Sequence, residues 1–120
     1  MGTLNFSIKL GAEQDGLFSL LTNYKKLPTF LPDQLKNVDI IEESDQVAVT
    51  EETLVFSSLI KKTIIQKTQH KIIAQNKLQS TILSGPAEGT EINVSLEKDN
   101  NGTLITVIIE LKLDFKTKIF

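Results

Sequence analysis

A chain of 120 residues with a net charge of -2 fits one domain, residues 1–120, and leaves little room for a second. Its 40 % hydrophobic content is enough for a core and too high for a disordered tail. The chain has no Cys, and all 13 of its basic residues are Lys. Disulfides, thiolate metal sites and the bidentate Arg grip on phosphate or carboxylate are therefore excluded, and the acidic balance argues against a nucleic-acid backbone as partner.

Residues 3–10 alternate Leu4, Phe6, Ile8 and Leu10 with polar neighbours, the period of a half-buried strand closed by Gly11. Over 12–24 the period changes to helical, with Leu17, Phe18, Leu21 and Tyr24 on one stripe. Glu13 and Asp15 suit the helix start and Lys25 and Lys26 its end. In Leu27-Pro28-Thr29-Phe30-Leu31-Pro32, Pro28 opens a short helix and Pro32 ends it.

From Val38 onward strand follows strand: 38–42, 47–56, 59–68, 71–83, 91–97 and 104–116. Gly85-Pro86 with Gly89, and Asp99-Asn100-Asn101-Gly102, mark hairpin loops. A further turn is expected near Gln69-His70. In the last strand Ile105, Val107, Ile109, Leu111, Leu113 and Phe115 share one face. Thirteen extended residues span ~43 Å, a length found in strongly curved sheets or barrels. The expected class is α+β: a curved antiparallel sheet of about six to seven strands, with two short helices after the first.

The run Leu17-Phe18-Ser19-Leu20-Leu21-Thr22-Asn23-Tyr24, then Leu27-Pro28 and Phe30-Leu31-Pro32, resembles the START-like (helix-grip, or SRPBCC) superfamily. The likeness is to its polyketide cyclase/dehydrase and coenzyme-Q-binding branch. Ser84-Gly85-Pro86-Ala87-Glu88-Gly89-Thr90 resembles the hairpin of archaeal-type members. These motifs are structural and identify a fold better than a reaction. The resemblance implies a cavity over the concave sheet face, normally closed by a C-terminal helix. This sequence stops at Lys118-Ile119-Phe120, so the expectation is a chain without that helix, whose apolar row could pair with a second copy.

The implied function is binding or transport of a lipid-, isoprenoid- or polyketide-like molecule. The expected cavity lining is Tyr24, Phe30, Leu31, Phe56, Val107, Ile109 and Leu111. One alternative is a cyclase or dehydratase with Glu52 or Tyr24 as acid or base; another is a protein-interaction module. No cofactor is expected, and without HExxH, DxDxDG or a His pair no metal is either. His70, the only histidine, lies in a polar stretch and is expected to be solvated. Glu51-Glu52 and Glu42-Glu43 are read as solvated edge or turn residues; an inward Glu would have a raised pKa. Three sequons (at Asn5, Asn93 and Asn101) without a visible signal peptide are read as chance, in a cytoplasmic protein with no membrane span.

Overall fold

A computed structural model describes residues 2–56 and 62–113. The first strand, β1 (Gly2–Leu10), leads to helix α1 (Gln14–Thr22), a 3-10 turn at Tyr24–Lys26 and helix α2 (Leu27–Phe30). Six strands follow: β2 (Leu35–Glu43), β3 (Val47–Phe56), β4 (Lys62–Ala74), β5 (Lys77–Ile82), β6 (Glu91–Asp99) and β7 (Gly102–Leu111). All pair antiparallel in one sheet of order β1-β7-β6-β5-β4-β3-β2. The two edges are β1 and β2, so the sheet stays open, and the helices join one edge to the other.

Local chemistry accounts for most boundaries. Pro28 sits in the first turn of α2, where its missing N–H costs nothing. Gly85 and Gly89 adopt φ of +100° and +89° in the β5–β6 loop, a region other residues avoid. The β6–β7 turn runs through Asn100 at φ 52°, a conformation Asn tolerates. Gly102 answers a different need. A Cβ there would lie 2.2 Å from the carbonyl oxygen of Leu10, so only glycine lets β7 begin beside the end of β1.

One boundary corrects the sequence reading. No turn occurs at Gln69-His70: β4 runs unbroken through both, and the chain reverses after Ala74. Asn76 holds that reversal, donating from Nδ2 to the Leu96 carbonyl at 2.9 Å and accepting the Leu96 N–H at 2.9 Å through its own carbonyl. An Asn, without Gly or Pro, marks this turn because its partner strand β6 stabilises it. The last strand is also shorter than the thirteen residues expected; Phe115 lies outside the described residues.

Directly paired residues share a face. On one face β7 sets Ile105, Val107 and Ile109 beside Leu96, Val94 and Ile92 of β6 and beside Ile8, Phe6 and Leu4 of β1. Leu96 is fully buried, whereas Leu4, Phe6 and Ile8 are about half exposed at the edge. At the other end of the same face Tyr24, Leu35, Val38 and Ala48 form a buried cluster, with Leu27 and Leu54 packed on it. Among the described residues no helix is long and apolar enough to cross a membrane.

Candidate ligand-binding site

Between the buried cluster and the apolar row lies a half-open cavity of about 200 Å³. Its apolar walls are Leu27, Leu35, Val38, Leu54, Ile82 and Ile92. Its polar end is formed by Thr50 and Glu52 of β3, Gln66, Thr68 and His70 of β4, and Ser80 of β5. Register brings these six together. Thr50 faces Thr68, Glu52 faces Gln66, and His70 faces Ser80 across adjacent strands.

Glu52 is buried at the centre of this group. Its Oε1 accepts from Thr68 Oγ1 at 2.8 Å and from Gln66 Nε2 at 3.0 Å. Its Oε2 accepts a short bond from Thr50 Oγ1 and lies 3.6 Å from His70 Nε2. Burial pulls the carboxyl pKa up, but the bonds from His70, Thr50, Gln66 and Thr68 together outweigh it and hold Glu52 below its ordinary value. The expectation of a raised pKa for an inward Glu is thus corrected. Desolvation was foreseen, but not four partners that favour the charged form.

His70 is likewise inside the fold and not solvated. Its side chain is 13 % exposed and its ring stacks on Tyr24 with centroids 4.3 Å apart. Nε2 lies 3.0 Å from Thr50 Oγ1, and Nδ1 lies 2.7 Å from Ser80 Oγ. The hydrogens can be assigned. Thr50 has one hydroxyl hydrogen and gives it to the Glu52 carboxylate, so Thr50 must accept from His70 Nε2–H. On the other side of the ring, Nδ1 and the Ser80 hydroxyl share a hydrogen bond. The chain of donors runs from His70 through Thr50 to Glu52.

Of the residues expected to line a cavity, Tyr24 borders this one. It is buried, and its pKa is pushed up to about 12, first by burial and then by the negative charge of Glu43. Phe30 and Leu31 are about half exposed at the end of α2 and do not border the cavity; Leu27, one turn earlier, does. Val107 and Ile109 are part-buried on the same sheet face but lie beyond the wall, Ile109 being the pair of the wall residue Ile92. Leu111, part-buried at the end of β7, pairs with Gly2 of β1 and is not a wall residue. Phe56 ends β3, and its side chain lies outside the description. Sequence reasoning missed Thr50, Gln66, Thr68, His70 and Ser80. The available signal was the i, i+2 spacing of Gln66, Thr68 and His70 on one strand, masked by Lys67, Gln69 and Lys71 on the other face.

A second cleft, of about 450 Å³, opens at the far end between the start of α1 and the β6–β7 turn. It is lined by polar and charged side chains, among them Glu13, Asp15 and Lys98. Among the described residues no group of three or more acidic or His side chains is placed to hold a metal ion.

No family model and no curated protein matches the sequence. Solved structures do match in shape. The di-domain aromatase/cyclase StfQ from the steffimycin biosynthetic pathway superposes with a TM-score of 0.79 at 9% identity, over 93% of this chain and 37% of that one. The Zhui aromatase/cyclase of a Streptomyces species superposes with a TM-score of 0.82 at 10% identity, over 94% of this chain and 68% of that one. Ginseng major latex-like protein 151 of Panax ginseng gives 0.76 at 15% identity, over 97% and 82%. The chain therefore spans just over a third of the first of these proteins. The seven-stranded antiparallel sheet and the two short helices after its first strand are common to this group, and the chain has the START-like, helix-grip fold.

Proposed function

We propose that the chain binds a hydrophobic small molecule, with its polar group in the cavity and its apolar body along the adjoining face of β6, β7 and β1. The observation that carries this reading is the juxtaposition itself: a cavity with six apolar wall residues, one end of which holds hydrogen-bonding groups. Small-molecule sites have this composition. At about 200 Å³ the cavity is below the usual range for drug-sized ligands, so it suits a ring-sized head. The half-exposed row of Leu4, Phe6 and Ile8 extends the apolar surface. Matching shapes among aromatase/cyclases and a latex-like protein support the reading at the level of the fold.

A second reading is acid–base catalysis on such a molecule. His70 favours it, being held against the cavity by hydrogen bonds to both ring nitrogens. In that reading His70 moves the proton, because Glu52 is fixed as a carboxylate by its donors.

The test uses the uncharged fluorophore N-phenyl-1-naphthylamine. The wild-type chain is expected to bind it with micromolar affinity, and Ile92→Trp, which fills the cavity from the wall, is expected to weaken binding at least tenfold while keeping the native circular dichroism spectrum. Absence of binding by the wild-type chain, or equal affinity in a folded Ile92→Trp variant, would overturn the proposal.

A further inference from the structure

We infer that the β1 edge of the sheet is an interface for a second copy of this chain, the two β1 strands pairing antiparallel about Phe6 into one continuous sheet. The inference goes beyond the ligand reading and does not rest on it.

The two edges of the sheet are built differently. Exposed edges are guarded by bulges, charges or a covering element, because their unpaired N–H and C=O groups otherwise recruit another strand. The β2 edge has all three. Its register with β3 shifts twice, between Leu35 and Asn37 and between Ile40 and Glu42. Lys36, Asp39, Glu42 and Glu43 stand exposed along it, and Leu35 and Val38 are buried in one cluster with Tyr24 of the 3-10 turn. The β1 edge has only Lys9. It matches β7 residue for residue from Gly2 to Leu10 without a shift, and all nine of its residues are exposed. Among the described residues no strand lies beyond it. At its two ends, a Cβ on Gly2 or Gly11 would meet nothing within 4 Å.

The strand also fits itself. With Phe6 on a two-fold axis all nine residues pair: Leu4 faces Ile8, Asn5 faces Ser7, Thr3 faces Lys9 and Gly2 faces Leu10. In an antiparallel ladder, alternate residues turn both N–H and C=O to the same side. Each of these pairs joins residues of the same alternate set, so whichever set faces away from β7, this register bonds it to itself. It also keeps Leu4, Phe6 and Ile8 of both copies on one face, where the two apolar rows run on into each other.

Charge agrees with this register. Lys9, the single charge of the strand, does not meet its own counterpart. It falls opposite Thr3 of the other copy, whose hydroxyl donates to Glu110 Oε2 at 2.9 Å. Lys9 and that carboxylate are then two strand spacings apart, about 10 Å between Cα atoms, which two long side chains span. Within its own copy Lys9 pairs with Asp99 at 3.5 Å, an exposed contact that is exchanged at little cost. A strand of nine residues, about 30 Å long, makes an interface at the small end of the usual range, so a micromolar dimer is expected.

Sedimentation velocity on the full chain across the micromolar range is expected to show monomer passing to dimer. Two variants test the register from the face opposite the apolar row. Asn5→Lys with Ser7→Lys sets like charges directly across the two-fold axis and is expected to weaken the dimer at least tenfold. Asn5→Glu with Ser7→Lys sets opposite charges there and is expected to dimerise as strongly as the wild-type chain or better. Because the chain has no Cys, Phe6→Cys introduces a single thiol, which is expected to cross-link to its counterpart under mild oxidation; Lys9→Cys, about 20 Å from its own counterpart, is not. A wild-type chain that stays monomeric throughout would overturn the inference. So would a dimer that the two-lysine variant leaves intact, which forms through another surface such as the apolar face, or one that the glutamate–lysine variant weakens equally, or cross-linking no faster at Phe6→Cys than at Lys9→Cys. Should the two-lysine variant fail to fold, the glutamate–lysine variant and the cross-links still decide the matter. None of these outcomes bears on the cavity.

Discussion

Replacing Thr68 with Val probes the buried carboxylate directly. Thr68 is 3 % exposed, and its hydroxyl donates to Glu52 Oε1 at 2.8 Å. Val has nearly the same shape and an equal liking for strands, so the change removes one hydrogen bond and little else. A bond to a charged group contributes ~1.5–3 kcal/mol to stability. Gln66 remains on the same oxygen at 3.0 Å, which places the expected loss at about 2 kcal/mol, toward the lower half of that range. The same substitution made beside Glu52→Leu should cost nothing or stabilise slightly, because the acceptor has gone and Val buries better than an unpaired hydroxyl. Urea unfolding of the four proteins of this double-mutant cycle, followed by circular dichroism at pH 8, gives the coupling directly. A coupling of about 2 kcal/mol is expected. A coupling under ~0.5 kcal/mol would refute the claim that Glu52 is a carboxylate held by its donors.

Two more predictions follow from the same structure. Because the folded-state pKa of Glu52 lies below its ordinary value of 4.5, the unfolded chain takes up this proton first as pH falls. Its stabilisation is complete above about pH 5 and is lost below that, so Glu52→Gln should flatten the acid side of the stability–pH curve; an unchanged slope would contradict the assignment. Gly102→Ala sets a Cβ 2.2 Å from a backbone oxygen that cannot swing aside, and should destabilise by about 2–3 kcal/mol in thermal or urea unfolding. Gly11→Ala, with nothing within 4 Å, is the control and should cost far less.

Much of the fold was legible in the residues because its causes are local. Alternation in β1 and in 105–111, the helical stripe over 17–24, Pro28 and Pro32 around α2, and the Gly85 and Gly89 loop all act within a few residues of themselves. The reversal at Asn76 was not legible, because a bond to Leu96, twenty residues away, supports it.

The candidate site was legible only at Tyr24 and, as a possibility weighed and set aside, at Glu52. Polar side chains alternate on both faces of β4, so composition pointed to water on either side. Which face turned inward depended on the pairing of β4 with β3 and β5, a relation between distant segments that no local pattern encodes. The sequence by itself determined a strand-rich α+β chain with two early helices, because strand and helix periods are properties of neighbouring residues. Only the tertiary structure decided that Thr50, Glu52, Gln66, Thr68, His70 and Ser80 would share one buried space, because each of these polar groups can leave water only where the register supplies its partners.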